Sequence, residues 1–225
     1  MTPPVVLAHG FTGTSAGTWT ESGMLELLRE GGRDPRPLDL LGHGDQPKPH
    51  DPEAYRDLEA QFLSRAPAGP LDGIGFSMGA AVLLTLAVRH PDRFSRLVLA
   101  GVGANLLQRD ADRAARIAAA VAGTAPADDP EAQVFARYAR EPGSDPEALA
   151  ALMRRPAPPL GDLGRVEAQV LVVLGTHDFA GPGEPLVDAL PKATLVPLPG
   201  VDHFATPKAI GFIEATLDFL DAQPF

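Results

Sequence analysis

No cysteine occurs among the 225 residues, which excludes disulfides, thiolate nucleophiles and cysteine-ligated zinc or iron–sulfur centres. Basic residues are outnumbered, 19 against 29 acidic ones, for a net charge of −10. A field of that sign repels phosphate backbones, so no nucleic-acid partner is expected. No apolar run approaches the ~20 residues that cross a bilayer, and no membrane partner is expected either. A secretory leader would need a basic start and an apolar run before a cleavage site. Met1-Thr2-Pro3-Pro4 leads straight into Val5-Val6-Leu7-Ala8 instead. With no disulfides to need an oxidising compartment, the expected location is the cytoplasm.

What is present is ordinary for a folded chain: 44% hydrophobic and 21% charged residues, in a length that suits one domain. Glycine (23) and proline (24) are spread along the chain as punctuation. Between them lie short apolar runs: Val5 to Ala8, Arg36 to Leu41, Leu71 to Phe76, Leu97 to Ala100, Val170 to Leu174 and Thr194 to Leu198. Aliphatic runs without alternation fit strands covered on both faces, as in a parallel sheet. Helical patterns fill the intervals. Glu21 to Gly31 carries an apolar stripe, and Met78 to His90 is apolar nearly all round, up to Pro91. Ala209 to Leu220 places Ile210, Ile213, Leu217 and Leu220 on one face, which should pack on the sheet. Alternating strands and helices predict an α/β fold with right-handed crossovers.

The alternation breaks between Val102 and Gln169, where no strand pattern occurs. Three helices are expected there, around Leu106 to Val121, Pro130 to Arg140 and Pro146 to Arg154. Asp129 and Asp145 stand ahead of prolines as N-caps for the last two. So long a crossover is usually functional. It reads as a helical lid, residues 102–169, inserted into a core of residues 1–101 and 170–225, over the carboxyl edge of the sheet where ligands bind.

One motif carries nucleophile chemistry. Gly75-Phe76-Ser77-Met78-Gly79 joins a strand to a buried helix, a sharp turn that pushes the serine hydroxyl outward while the glycines avoid clashes. Serine needs a base and a group to orient that base. His203 follows the last strand run and Asp178 the fifth, so both loops leave the same sheet edge as Ser77. The order Ser, Asp, His is that of a nucleophile-elbow hydrolase. Glu184 and Asp202 are competing acids; Asp202 adjoins His203 too closely in sequence for easy pairing, and Glu184 stands further from its strand. The oxyanion needs two donors: the backbone N–H of Met78 after the nucleophile, and that of Phe11 after the first run. His9 reads as a packed residue that shapes this loop, and Gly42-His43-Gly44 as a turn. Arg109, Arg113 and Arg116 read as a solvated face, and Trp19 as packing. The histidines are too scattered for a metal site, and none is expected.

His9-Gly10-Phe11, Gly42-His43-Gly44, Gly75-Phe76-Ser77-Met78-Gly79, Gly175-Thr176-His177-Asp178 and Asp202-His203-Phe204 together resemble the α/β-hydrolase superfamily, in its serine esterase and lipase-like members. The resemblance implies a mainly parallel sheet of about six strands with helices on both faces and a small helical lid. It implies a Ser77–His203–Asp178 triad, oxyanion N–H groups from Phe11 and Met78, and no cofactor. Family members usually carry two strands before the one ending in His-Gly. Here the second run, to Leu41, becomes an edge that needs protection or a partner; the oligomeric state is open, and a homodimer through that edge is one arrangement.

The expected activity is hydrolysis of small-molecule carboxylic esters with short to medium acyl groups. The same triad serves carbon–carbon bond or lactone hydrolysis, and a non-catalytic binding role is the third reading. A serine nucleophile argues against dehalogenase or epoxide hydrolase chemistry, which resembling enzymes perform with aspartate. A dinucleotide-binding fold is excluded because no Gly-x-Gly-x-x-Gly follows the first strand.

Overall fold

The computed structural model describes residues 2–108, 110–124, 128–156 and 159–223. Six parallel strands form one sheet in the order β2-β1-β3-β4-β5-β6. They are β1 Val5–Ala8, β2 Pro35–Leu38, β3 Leu71–Phe76, β4 Phe94–Ala100, β5 Gln169–Gly175 and β6 Ala193–Leu198. The helices are α1 Met24–Glu30, α2 Leu58–Arg65, α3 Met78–Arg89, α4 Ala111–Val121, α5 Pro130–Tyr138, α6 Pro146–Met153, α7 Glu184–Asp188 and α8 Ile210–Phe219. Among the described residues no helix is long and apolar enough to cross a membrane.

Strand alternation sorts the core into two layers. Val6, Ala8, Leu97, Leu99, Val170 and Val172 pack with α2 and α3 on one face. Val5, Leu7, Ile74, Val98, Leu171 and Val173 pack with Trp19, α1 and α8 on the other. Both faces are covered, hence the runs without polar alternation. A third cluster lies within α4, α5 and α6, built on Ile117, Val121, Phe135 and Leu149. Phe11 and Phe204, from loops at the strand ends, pack against it.

Several boundaries move. β2 stops at Leu38, not Leu41. Beyond it the chain leaves the ladder, because Leu40 N–H donates to His9 Nε2 at 3.1 Å and the Asp39 carboxylate accepts from Ser15 N–H. α4 starts only at Ala111, where Asp110 caps it by accepting from Arg113 N–H; Arg109 lies outside the described residues. Asp129 and Asp145 cap α5 and α6 as expected. The inward face of α8 is corrected: Ile210 is 74% exposed, while Phe212, Thr216, Leu217 and Leu220 are buried. Ile210 is the first residue of α8, two residues after the turn Thr206–Lys208.

Both edges of the sheet lack donors at chosen positions. Asp34 C=O accepts from Val5 N–H, so alternation turns residues 35 and 37 outward, and both are proline. In β6, Leu198 C=O accepts from Thr176 N–H, which turns Pro197 outward by the same parity. Proline cannot donate to an added strand.

Candidate active site

The turn between β3 and α3 holds Ser77 at φ +52°, ψ −114°. Positive φ is costly for a residue with a Cβ and survives only where the surroundings over-determine it. Here the flanking glycines let those surroundings close in. A Cβ on Gly75 would stand 2.6 Å from Ala80 Cα, and one on Gly79 would stand 2.1 Å from Ala8 C=O. α3 therefore abuts both its own strand and the end of β1, and Ser77 N–H is tied to Ala100 C=O at 2.8 Å.

Three loops meet at this turn. His203, 3% exposed, places Nε2 at 3.0 Å from Ser77 Oγ. Its Nδ1 lies 3.0 and 2.9 Å from the two oxygens of Asp178. A carboxylate only accepts, so Nδ1 carries the proton and Nε2 is left with a lone pair toward the serine hydroxyl. Asp178 is fixed in turn by Ala180 N–H at 2.8 Å, and its side chain is fully buried. The competing acids stand apart from the ring: Asp202 accepts from Ala205 N–H on the surface, and Glu184 opens α7. Gly101, at φ +65°, supplies room beside the imidazole, since a Cβ there would stand 3.1 Å from His203 Cε1.

The loop after β1 approaches the same turn. A Cβ on Gly10 would meet the Phe76 ring at 2.8 Å and Ser77 Cβ at 3.4 Å, which brings the 10–11 peptide beside the serine. Met78, first residue of α3, has one of the N–H groups a helix start leaves free. His9 anchors the loop: Nδ1–H donates to Gly10 C=O at 2.8 Å while Nε2 accepts from Leu40 N–H. Burial lowers its pKa, with Asp39 partly opposing. His43 packs edge-on against it at 4.8 Å, and burial first, then the His9 charge, holds it well below the ordinary imidazole value.

A cavity of 510 Å³ runs between the 10–18 loop, the 42–45 turn, the stretch from Tyr138 to Ser144 and the Phe204–Lys208 stretch. Phe76 and Phe204, chain neighbours of Ser77 and His203, line it. Carboxylates of Glu21, Asp45 and Glu141 stand around it against one lysine, Lys208, which itself pairs with Glu21 at 3.4 Å.

Reading the sequence for polar chemistry passed over an aromatic wall. Phe135 reaches Phe11, Phe179 and Phe204 at 5.8, 6.1 and 5.4 Å, and Tyr138 stacks on Phe204 at 5.4 Å. A signal existed: a phenylalanine stands in or beside four of the five motifs, in Gly10-Phe11, Phe76-Ser77, Asp178-Phe179 and His203-Phe204. Arg113 and Arg116 are ion-paired, with Glu131 and Asp129 respectively.

A family model described as "Alpha/beta hydrolase family" matches residues 5–213. A pimeloyl-[acyl-carrier protein] methyl ester esterase of Neisseria meningitidis serogroup C is 42% identical over 71 residues, 31% of this chain and 26% of that protein. A 2-hydroxymuconate semialdehyde hydrolase of Pseudomonas sp. (strain CF600) is 30% identical over 102 residues, 44% of this chain and 36% of that protein. These matches span roughly a quarter to a third of the relatives' lengths. Among solved structures, NosK from Streptomyces actuosus superposes with a TM-score of 0.74 at 24% identity, covering 97% of both chains.

Proposed function

The chain belongs to the alpha/beta hydrolase family, and from that membership we propose that it cleaves small-molecule carboxylic esters through an acyl-enzyme on Ser77. The observation that carries the reading is the continuous hydrogen-bonded series Ser77–His203–Asp178 at 3.0 and 2.9 Å. Ser77 Oγ attacks the acyl carbon as His203 Nε2 takes its proton. Asp178 accepts from Nδ1–H and stabilises the imidazolium. The N–H groups of Phe11 and Met78 donate to the oxyanion. Collapse of the tetrahedral intermediate breaks the bond to the alcohol oxygen, which receives the proton from Nε2. Water then enters, gives its proton to the same nitrogen and releases the acid, restoring Ser77. Every proton and electron pair is supplied by these residues, substrate and water. Residues 102–169 act as a lid, since their inner cluster rests on Phe11 and Phe204 beside the nucleophile.

Similarity to the Neisseria esterase supports ester cleavage. Similarity to the Pseudomonas hydrolase supports carbon–carbon bond hydrolysis as the second reading. The carboxylates around the cavity weigh against it, because an acidic dienone would enter against Glu21, Asp45 and Glu141. The test is turnover of p-nitrophenyl esters of increasing acyl length, beside Ser77→Ala. The expected result is a peak at short to medium chains and a loss of about 10⁴-fold or more in the variant. Retained turnover in Ser77→Ala would sink the triad. Labelling of Ser77 by a phosphonate without ester turnover would favour the carbon–carbon or lactone substrate.

A further inference from the structure

His203 is held between two phenyl rings as well as between two hydrogen bonds. Phe76 lies at 4.9 Å with an interplanar angle of 37°, and Phe179 lies closer, at 4.1 Å and 33°. Phe76 belongs to the buried core, but Phe179 is 38% exposed, one of the few large apolar side chains so placed. Burial does not account for a ring in that position. Its neighbours do. On one side it has the imidazole; from α4, the Arg113 guanidinium carbon stands 4.7 Å from its centroid. Arg113 is itself neutralised by Glu131, with Nε at 2.9 Å from a carboxylate oxygen.

We propose that Phe179 is a positioning residue for the base: its ring face stabilises the imidazolium of His203, and Arg113 on α4 tunes that face from the inserted helices. The proposal rests on the reading of His203 as the base. An aromatic face is electron-rich and attracts a cation lying over it. During each proton transfer His203 becomes such a cation, 4.1 Å from Phe179. Arg113 draws on the same ring, so the two cations compete for one quadrupole. Displacement of α4 would relieve the competition and alter the basicity of His203 without touching either hydrogen bond. Among the described residues, the other charged groups around the imidazole are few. Asp178 binds Nδ1 directly, Glu131 acts through Arg113, and Asp202 faces solvent.

The measurement is NMR titration of the His203 ring in the full chain, its signal assigned by loss in His203→Gln. This readout needs no substrate. In Phe179→Leu, which keeps apolar bulk at a half-exposed site, the midpoint should fall by about half a pH unit, and Phe179→Trp should restore it. Replacing the neutral pair together, Arg113→Gln with Glu131→Gln, should raise the midpoint in the wild-type background and leave it unmoved in Phe179→Leu. The acid limb of the ester pH–rate profile should move with the midpoint. An unshifted midpoint in folded Phe179→Leu would overturn the proposal, since a ring that only packs would alter turnover without altering titration. Failure of the triad reading gives a different result: esters hydrolysed as well by Ser77→Ala as by wild type.

Discussion

At the scale of single residues, the candidate site is built by what is small. Gly75, Gly79 and Gly101 each hold a position where one added carbon would meet backbone or ring atoms inside 3 Å. Gly75 and Gly79 made Ser77 legible in the sequence, because the turn it needs admits few other residues on either side, whereas Gly101 gave no such signal. His9 and His43 were legible only as shapers of their loops, and their electrostatics depend on burial that no local pattern reveals. The fold lowers the pKa of both, chiefly by desolvation, and so favours their uncharged forms. In the unfolded chain each returns to about 6.5 and binds protons more readily. Their contribution to stability is therefore fully present above that value and is lost as pH falls below it. Urea unfolding between about pH 7 and 5 should show stability dropping with acid, and His43→Gln should make the drop shallower. An unchanged slope would mean that His43 is protonated in the folded protein too.

At the scale of elements, the strands and the three inserted helices could be read from runs and caps, while their docking could not. The stretch 46–70 carries no run or cap strong enough to mark α2, whose burial rests chiefly on Leu58 and Phe62. α2 nevertheless anchors the insertion. Its buried Glu59 pairs with Arg155, just beyond α6, at 2.8 Å. At the other end of α6, His50 Nε2 meets the Asp145 cap at 2.9 Å, and Nδ1 meets Glu147 at 3.1 Å. The hydrogen bond that His50 donates to Asp145, with the nearby carboxylate charges, raises the pKa of His50, so this tie has the opposite pH sign to the buried histidines. It is complete below about 6.5 and weakens as pH climbs through the raised value. Asp145 also accepts from the N–H groups of Glu147 and Ala148, which makes those amides reporters. Their exchange protection, corrected for intrinsic rate, should fall by about twofold from pH 6 to 8, as for an exposed ion pair. In His50→Gln the dependence should vanish; a dependence that persisted would place the titrating group elsewhere.

At the scale of the whole molecule, the layered α/β architecture was legible in the sequence, because aliphatic runs without polar alternation fit buried parallel strands and helical patterns fill the intervals. The aromatic wall did not follow, since Phe135 and Phe179 meet only after α5 folds back over the strand ends. The edges are a third case. A backbone-paired dimer through β2 would have to form without donors from residues 35 and 37. Replacing both, Pro35→Thr with Pro37→Thr, restores two outward N–H groups. The variant should show a rising average mass in light scattering as concentration increases, where the natural sequence should not. An equal rise in both would assign self-association to some other surface.

Pro197 removes one outward donor on β6, as Pro35 and Pro37 remove both on β2. The sheet thus resists extension at both ends, as a polymer with blocked termini does. Whatever strand-like segment a crowded solution offers, each rim can accept hydrogen bonds more readily than it can return them, and templated growth stalls at its first step.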